Sequence, residues 1–274
     1  MNGPMRSRPT LSLVVLTDLG AIYAPLLLMD SLRDPQIETR CIYVRGLKQT
    51  SKWKTIKRIA AKSGYHYALR RALGLLQLRL LQYHHAHIRH ADLEHQPCPP
   101  LGEVARRLSI PIKPVVNCNA PEFIAELRQD PPDLVVSAFF GQMFKGELIR
   151  TPRLGCLNIH PSLLPRHRGT NPVYWAMVDE SKETGITIHQ IDEGVDTGGI
   201  IAQVTVPIAP CDTHHTLYRK TVVAGSKLVE KTLRQILEHQ HIESRPQPAG
   251  SWKVYPAPTP ESFREFQKLH KRFI

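Results

Sequence analysis

The apolar run from Leu154 to Ile159 stops abruptly at His160-Pro161, and that stop constrains the fold more than any other feature of the chain. Proline has no amide hydrogen and cannot continue a central strand. The run reads as a buried strand emptying into a loop, Ser162 to Pro172, which holds two prolines, a glycine and three basic groups, Arg166, His167 and Arg168. Asn158 and His160 stand at the mouth of this strand.

Other short apolar runs have the same character. Leu11 to Leu16 opens on Thr17-Asp18-Leu19-Gly20, and a helix pattern follows over Ala24 to Leu32. Glu38 to Val44, Ile110 to Val116 and Leu134 to Ala138 read as the second, third and fourth strands. Strand–helix–strand order implies right-handed parallel crossovers, hence an α/β fold. The Thr17–Gly20 turn lies where such sheets bind ligands, but its single glycine is a poor dinucleotide fingerprint, so NAD is not expected. Asn119 reads as the cap of a helix starting at Pro121, with Glu122 reaching back. Phe139 to Phe144 is an apolar exit from the fourth strand, able to close over a flat ring; core packing accounts for its aromatics equally well. Gly185 to Ile191 and Ile200 to Val206 read as a hairpin-like pair around Asp192 to Gly198. Asp212 reads as the cap of a long helix with Tyr218, Val222, Val229, Leu233 and Ile236 on one face. The rest, from Arg245, is proline-rich and basic, and reads as a surface tail with a final short helix at 261–273.

The segment 45–100 breaks the rhythm. Lys48, Lys52, Lys54, Lys57, Arg58 and Lys62 interleave with Trp53, Ile56 and Ile59. Leu69, Leu73, Leu76, Leu80 and Leu81 then recur at helical spacing among Arg70, Arg71 and Arg79. These are basic amphipathic helices inserted after the second strand. Packing on the core is the favoured role; membrane-surface attachment or an oligomer contact, a homodimer included, is the alternative. The stretch His84, His85, His87, His90, Glu94, His95 has no recognised metal spacing, so no metal site is expected.

The net charge of +12 points to an anionic partner. No apolar run nears the ~20 residues of a membrane span, and Leu11–Leu16 is too short for a signal peptide. Five cysteines are scattered without paired spacing, as expected of idle thiols in a reducing compartment. A soluble, cytoplasmic protein is the expectation.

The motifs carry a resemblance. Asn158-x-His160, Pro161-Ser162-Leu163-Leu164-Pro165, and Asp196 thirty-six positions after His160 within Asp192-Glu193-Gly194-Val195-Asp196-Thr197-Gly198 together resemble the folate-dependent formyltransferases. Glycinamide ribonucleotide, methionyl-tRNA and sugar N-formyltransferases are its branches. The likeness runs from about Leu101 to Pro207. It implies a Rossmann-like fold with a mostly parallel seven-stranded sheet flanked by helices, N10-formyltetrahydrofolate as formyl donor, no metal, and Asn158, His160 and Asp196 as catalytic triad. The chain then divides into a catalytic domain at 10–210, carrying the insertion at about 45–100, and a C-terminal helix and basic tail at 211–274.

The chemistry is consistent with that resemblance. An amine attacking a formyl carbon makes a tetrahedral oxyanion, and one donor aimed at it is commonly worth ~3–4 kcal/mol. The amide of Asn158 and the imidazole of His160 can supply donors, and Asp196 can hold the histidine's charge and tautomer or accept a proton through water. Singly, each residue has a bland reading: a turn cap, a core histidine, a turn carboxylate. By resemblance the folate contacts fall on Phe139, Phe140, Gly141, Gln142 and Met143, on Ser162, Leu163, Leu164 and Pro165, and on Ile191, Asp192, Glu193, Gly194 and Val195. Gly141 stands where the purine-pathway branch has an arginine, which moves the chain toward the tRNA and sugar branches. Arg168, Gly169, Thr170 and Asn171 are the expected acceptor contacts. Only about 65 residues follow Ile208, against the sizeable C-terminal barrel of a tRNA enzyme. A small anionic amine, such as a nucleotide-linked amino sugar, therefore ranks above tRNA, and nucleic acid is the less favoured partner. The alternatives are a methionyl-tRNA formyltransferase-like enzyme, a formyltetrahydrofolate hydrolase, and a non-catalytic polyanion- or membrane-binding protein on the same scaffold.

Overall fold

The structure is a computed structural model, and it describes residues 10–47, 60–61, 63–83 and 99–274. The basic residues Lys48 to Lys62 and the histidine-rich stretch 84–95 lie outside the described residues, and so do the readings attached to them. Strands β1 (Leu11–Asp18), β2 (Ile37–Arg45), β3 (Ile112–Val115), β4 (Leu134–Ala138) and β5 (Gly155–His160) pair in parallel; β7 (Glu183–Gln190) and β8 (Ile200–Pro207) complete the sheet antiparallel. The order is β3-β2-β1-β4-β5-β7-β8. It is the mostly parallel seven-stranded Rossmann-like sheet that the motifs imply. The order reverses between β1 and β4, so the crevice past their carboxyl ends is the natural ligand site.

Both sheet faces are covered, as a parallel sheet requires. Side chains alternate along β1: Leu11, Leu13 and Val15 join one apolar cluster, Val14 and Leu16 the other. Helices α1 (Ala24–Arg33), α3 (Leu101–Arg107) and α7 (His214–His239) supply the first cluster. Helix α4 (Pro121–Gln129) and the short α5 (Gly146–Ile149) supply the second. The long α7 buries Tyr218, Val222, Val229, Leu233 and Ile236, the face read from its periodicity.

Two caps differ from expectation. Ala120, not Asn119, precedes α4. Asn119 instead donates to the Met143 carbonyl at 2.8 Å and accepts from the Lys145 amide at 2.8 Å, tying the loop after β4 to the loop after β3. Helix α7 is capped by Thr213, which exchanges bonds with Thr216 in a capping box. Asp212 serves a different end, binding Lys220 and the Ala209 amide.

The insertion also differs. Helix α2 (Tyr65–Tyr83) buries Tyr67 and Ala68, but Leu69, Leu73, Leu76 and Leu80 are 59, 49, 54 and 61% exposed. The leucine stripe expected on the core faces outward, because Tyr67 already holds the helix against Tyr174, Phe263 and Phe273 from the opposite side. No described helix is long and apolar enough to cross a membrane.

The tail does more than hug the surface. Ile200 and Arg245 exchange backbone bonds. Strand β9 (Val254–Tyr255) pairs with β6 (Arg168–Gly169), and α8 (Pro260–Lys268) buries Phe263 and Phe266. The segment before Val254 shares one cleft with Gly155 and Cys156 at the start of β5.

Candidate active site

Asn158 and His160 are two residues apart on β5, so both side chains leave the same face. Asn158 lies opposite His189 in the antiparallel pairing with β7. Asp196 sits in the β7–β8 turn at φ +52°, a left-handed conformation uncommon for a residue with a Cβ. These elements bring the four side chains together. The Asp196 carboxylate accepts the Gly169 amide hydrogen at 2.7 Å and an Asn158 amide hydrogen at 3.2 Å. It lies 3.6 Å from His160 Nδ1 and 3.6 Å from His189 Nε2.

The hydrogen bonds fix the tautomers. His160 Nε2 meets the His167 carbonyl at 3.0 Å, and a carbonyl only accepts, so Nε2 carries the hydrogen. Nδ1 is then the basic nitrogen, turned toward Asp196. By the same reasoning His189 Nδ1 donates to the Gln190 carbonyl at 2.8 Å, which leaves its Nε2 to accept from Asn158 at 3.1 Å. Both Asn158 amide hydrogens are engaged, one on His189 and one on Asp196. His167 is itself held by Asp179 at 3.2 Å, and Asp179 also accepts from Tyr255.

Burial dominates the electrostatics. It lowers the His160 pKa, and the nearby Asp196 charge offsets only part of that, so the ring is neutral at neutral pH. Burial pushes the Asp196 carboxyl up, but the His160 and His189 rings and the Gly169 amide outweigh it and hold the group well below the usual carboxylate range. A neutral base beside a fixed anion is the arrangement that favours proton uptake at Nδ1.

A pH dependence of stability follows. His160, His167 and His215 are all lowered, chiefly by burial. In the unfolded chain they return to about 6.5. Between the folded values and 6.5 the unfolded chain binds more protons, so stability rises with pH through that window. The melting temperature is expected to be highest above pH ~7 and to fall as the pH drops below ~6.5. The lowered carboxylates Asp133 and Asp212 act in the same sense only below about pH 4. Exposed His241 is shifted the other way beside the His239 carbonyl and Glu243, and thermal scans of a His241→Ala variant separate it.

The remaining expected site residues are placed as follows. The Phe139 ring lies against Tyr218, and Phe140 sits between Phe144 and the Arg45 guanidinium. Arg45 donates to the Gly141 carbonyl at 3.1 Å and pairs with Asp18. A Cβ on Gly141 would stand 2.4 Å from that guanidinium, so an arginine from β2 occupies the space beside this glycine. Gln142 braces the loop after β3 through the Cys118 amide and Val116 carbonyl; Met143 is 54% exposed. Ser162 and Leu164 are buried, and Thr187 and Gln203 pin the 162–165 turn, with Leu163 half-buried and Pro165 buried. Ile191 and Asp192 line a cleft of about 640 Å³, while Glu193 and Gly194 are exposed and Val195 is half-buried. Thr197, Gly198, Ile149, Cys156 and Arg168 line the same cleft, and residues 244–252 of the tail close its other side. The four residues expected to contact an acceptor are placed in and beside β6: the Gly169 amide donates to Asp196, Arg168 donates to Gln247, Thr170 donates to the Tyr255 carbonyl, and Asn171 precedes helix α6 (Pro172–Val178).

Sequence reasoning missed His189, His167 and Gln247. The β7 histidine was findable, since antiparallel pairing of the runs around Asn158 and His189 sets them side by side. Nothing local marks the other two. Among the described residues no group of three or more His, Cys, Asp or Glu side chains could hold a metal ion.

The fold and this convergence define a class, and the comparisons give it a name. The chain belongs to the formyl transferase family, whose model matches residues 82–233. It is similar to the methionyl-tRNA formyltransferase of Geobacter metallireducens, 37% identical over 138 residues, covering 50% of this chain and 44% of that protein. The Halalkalibacterium halodurans enzyme of the same name is 39% identical over 149 residues, with 54% and 47% covered. The chain thus spans about half the length of the curated relatives it matches. Among solved structures, the fold is shared with glycinamide ribonucleotide transformylase 1 of Symbiobacterium toebii, at TM-score 0.60 and 20% identity over 91% of this chain and 99% of that one. A sugar N-formyltransferase from Shewanella sp. gives TM-score 0.54 and 18% identity over 89% and 76%.

Proposed function

We propose that the protein is an N-formyltransferase that moves a formyl group from N10-formyltetrahydrofolate to the amine of a small anionic acceptor such as a nucleotide-linked amino sugar. One observation carries the reading: His160 presents a basic, buried Nδ1 to the ionised Asp196, with the Asn158 amide beside both. In this reading Nδ1 takes the proton released when the acceptor amine attacks, and Asp196 stabilises the imidazolium that forms. The same Nδ1–H can then protonate the departing folate nitrogen. Asn158 serves the oxyanion by redirecting one amide hydrogen, and its longer bond, to Asp196 at 3.2 Å, is the one to exchange. The cleft supports a flat heteroaromatic donor. Ile149, Cys156 and Ile191 give it an apolar side, and Gln190 and Asp192 a polar rim.

A second reading takes methionyl-tRNA as acceptor. The names of the relatives at 34–39% identity and the net charge of +12 favour it. One assay separates the two. The protein is incubated with N10-formyltetrahydrofolate and either a panel of amino-sugar nucleotides or aminoacylated methionyl-tRNA, and products are weighed for a gain of one CO unit. Gain on a sugar amine supports the first reading; gain on tRNA alone replaces it. Free formate with no adduct overturns both. Saturating 5-formyltetrahydrofolate is expected to raise the melting temperature, since ligand at a hundred times its Kd stabilises by about 2.7 kcal/mol.

A further inference from the structure

The side chain of Gln247 joins three pieces of the site that no secondary-structure element joins. Its Nε2 donates to the carbonyls of Asp196 at 2.8 Å and Gly198 at 2.9 Å. Its Oε1 accepts from Arg168 Nη2 at 2.6 Å. All three polar capacities of the amide facing the protein are therefore filled. Asp196 is at φ +52°, in a turn otherwise anchored by its own carboxylate, on Gly169 and Asn158, and by Asp192, which accepts from Gly194 and Thr197. Arg168 precedes Gly169, whose amide binds the Asp196 carboxylate from the opposite direction.

Gln247 is in turn fixed at both ends of its segment. The Ile200–Arg245 bridge secures it two residues before, and the pairing of β9 with β6 secures it after. Ser244 adds a bond to the Gln190 side chain at 2.6 Å. The strap is thus referenced to β7, β8 and β6 at once.

We propose that Gln247 is a positioning residue: by bridging Arg168 to the carbonyls of Asp196 and Gly198 it sets the Asp196 carboxylate against His160 Nδ1. Its importance for turnover rests on the formyltransferase reading; the geometric claim does not.

Two isosteric variants of the full chain test it. Gln247→Met removes both donors and the acceptor. Gln247→Glu removes the donors and keeps a partner for Arg168, so the tail stays docked. The direct readout is the NMR titration of the His160 ring Cε1 proton, assigned with His160→Gln and calibrated with Asp196→Asn. Withdrawing the carboxylate weakens the larger of the two influences raising this imidazole's pKa, the other being the His167 carbonyl, so Asp196→Asn moves the titration to lower pH. Gln247→Met is expected to move it the same way, by at least half as much; Gln247→Glu brings a carboxylate of its own, which opposes that shift, and is expected to keep Arg168 paired and to melt near wild type. A Gln247→Met titration superimposed on wild type overturns the proposal, because a merely structural glutamine lowers the melting temperature without touching the His160–Asp196 pair. Turnover is the second readout: kcat falls on the order of 10–100-fold, as misplacement of a reacting group predicts. A shifted titration with no turnover in the wild type leaves Gln247 in its role and removes the formyltransferase reading instead.

Discussion

Alanine at His160 is expected to lower formyl transfer by roughly 10³-fold or more, the upper part of the range for general acid–base catalysis. Among the described residues only this imidazole offers a basic nitrogen to the site, since His189 spends its lone pair on Asn158. Solvent is a poor substitute, because the ring is 4% exposed and the carboxylate beside it 13%. Asp196→Asn is expected to cost nearly as much. It keeps the shape but removes the charge that stabilises the imidazolium, and an asparagine must turn an NH2 toward one of its two present donors, the Gly169 and Asn158 amides. Because both residues act on one proton, the double variant should be little slower than the worse single one. The check is single-turnover kinetics with saturating donor and the amine found by the acceptor screen. His160→Gln serves as the control for packing. Wild-type rates in the His160→Ala, Asp196→Asn double variant would remove the triad from the mechanism.

Local patterns carried the sheet and missed what long-range contacts decide. Strand β4 falls on Leu134–Ala138, the run read from the sequence, because five buried residues between Asp133 and Phe139 admit little else. The start of α4 and the caps were less legible. Asn119 and Asp212 are good capping residues, but Asn119 is taken by the distant loop after β4 and Asp212 by the Ala209 amide and Lys220 close by, and capping propensity cannot see that. The stripe Leu69, Leu73, Leu76, Leu80 marks which side of α2 is apolar, not whether anything covers it. The triad was legible because its residues sit in short motifs whose joint spacing is specific. Its support was not. Gln247 lies in a proline-rich stretch without periodicity, and its role exists only once β9 has found β6. The left-handed positions Phe139, Asn171 and Asp196 give no signal either, since none is glycine.

The other large effect is expected at Gly169. Alanine there should release the tail and stop turnover together. The residue stands at φ +99°, where L side chains are strained, and an added Cβ would lie 2.3 Å from the Tyr255 carbonyl oxygen and 3.0 Å from its nitrogen. Those are backbone atoms of the paired strand, so no rotamer change relieves the overlap. The φ strain alone costs about 1–3 kcal/mol. The chain can avoid both costs only by parting β6 from β9. That parting has two consequences at once. The Gly169 amide leaves the Asp196 carboxylate, and the strap carrying Gln247 loses its downstream anchor. Loss of one charge-assisted hydrogen bond, about 1.5–3 kcal/mol, would by itself slow the reaction by 10-fold or more. With the strap free, the loss should exceed 10²-fold. Limited proteolysis reads the structural half: cleavage between 246 and 258 should appear at protein concentrations and temperatures where the wild type is resistant. Turnover reads the other half. Gly169→Ala with intact protease resistance and normal rate would show that β6 and β9 part without cost, and that the Asp196 carboxylate keeps its place without either the amide or the strap.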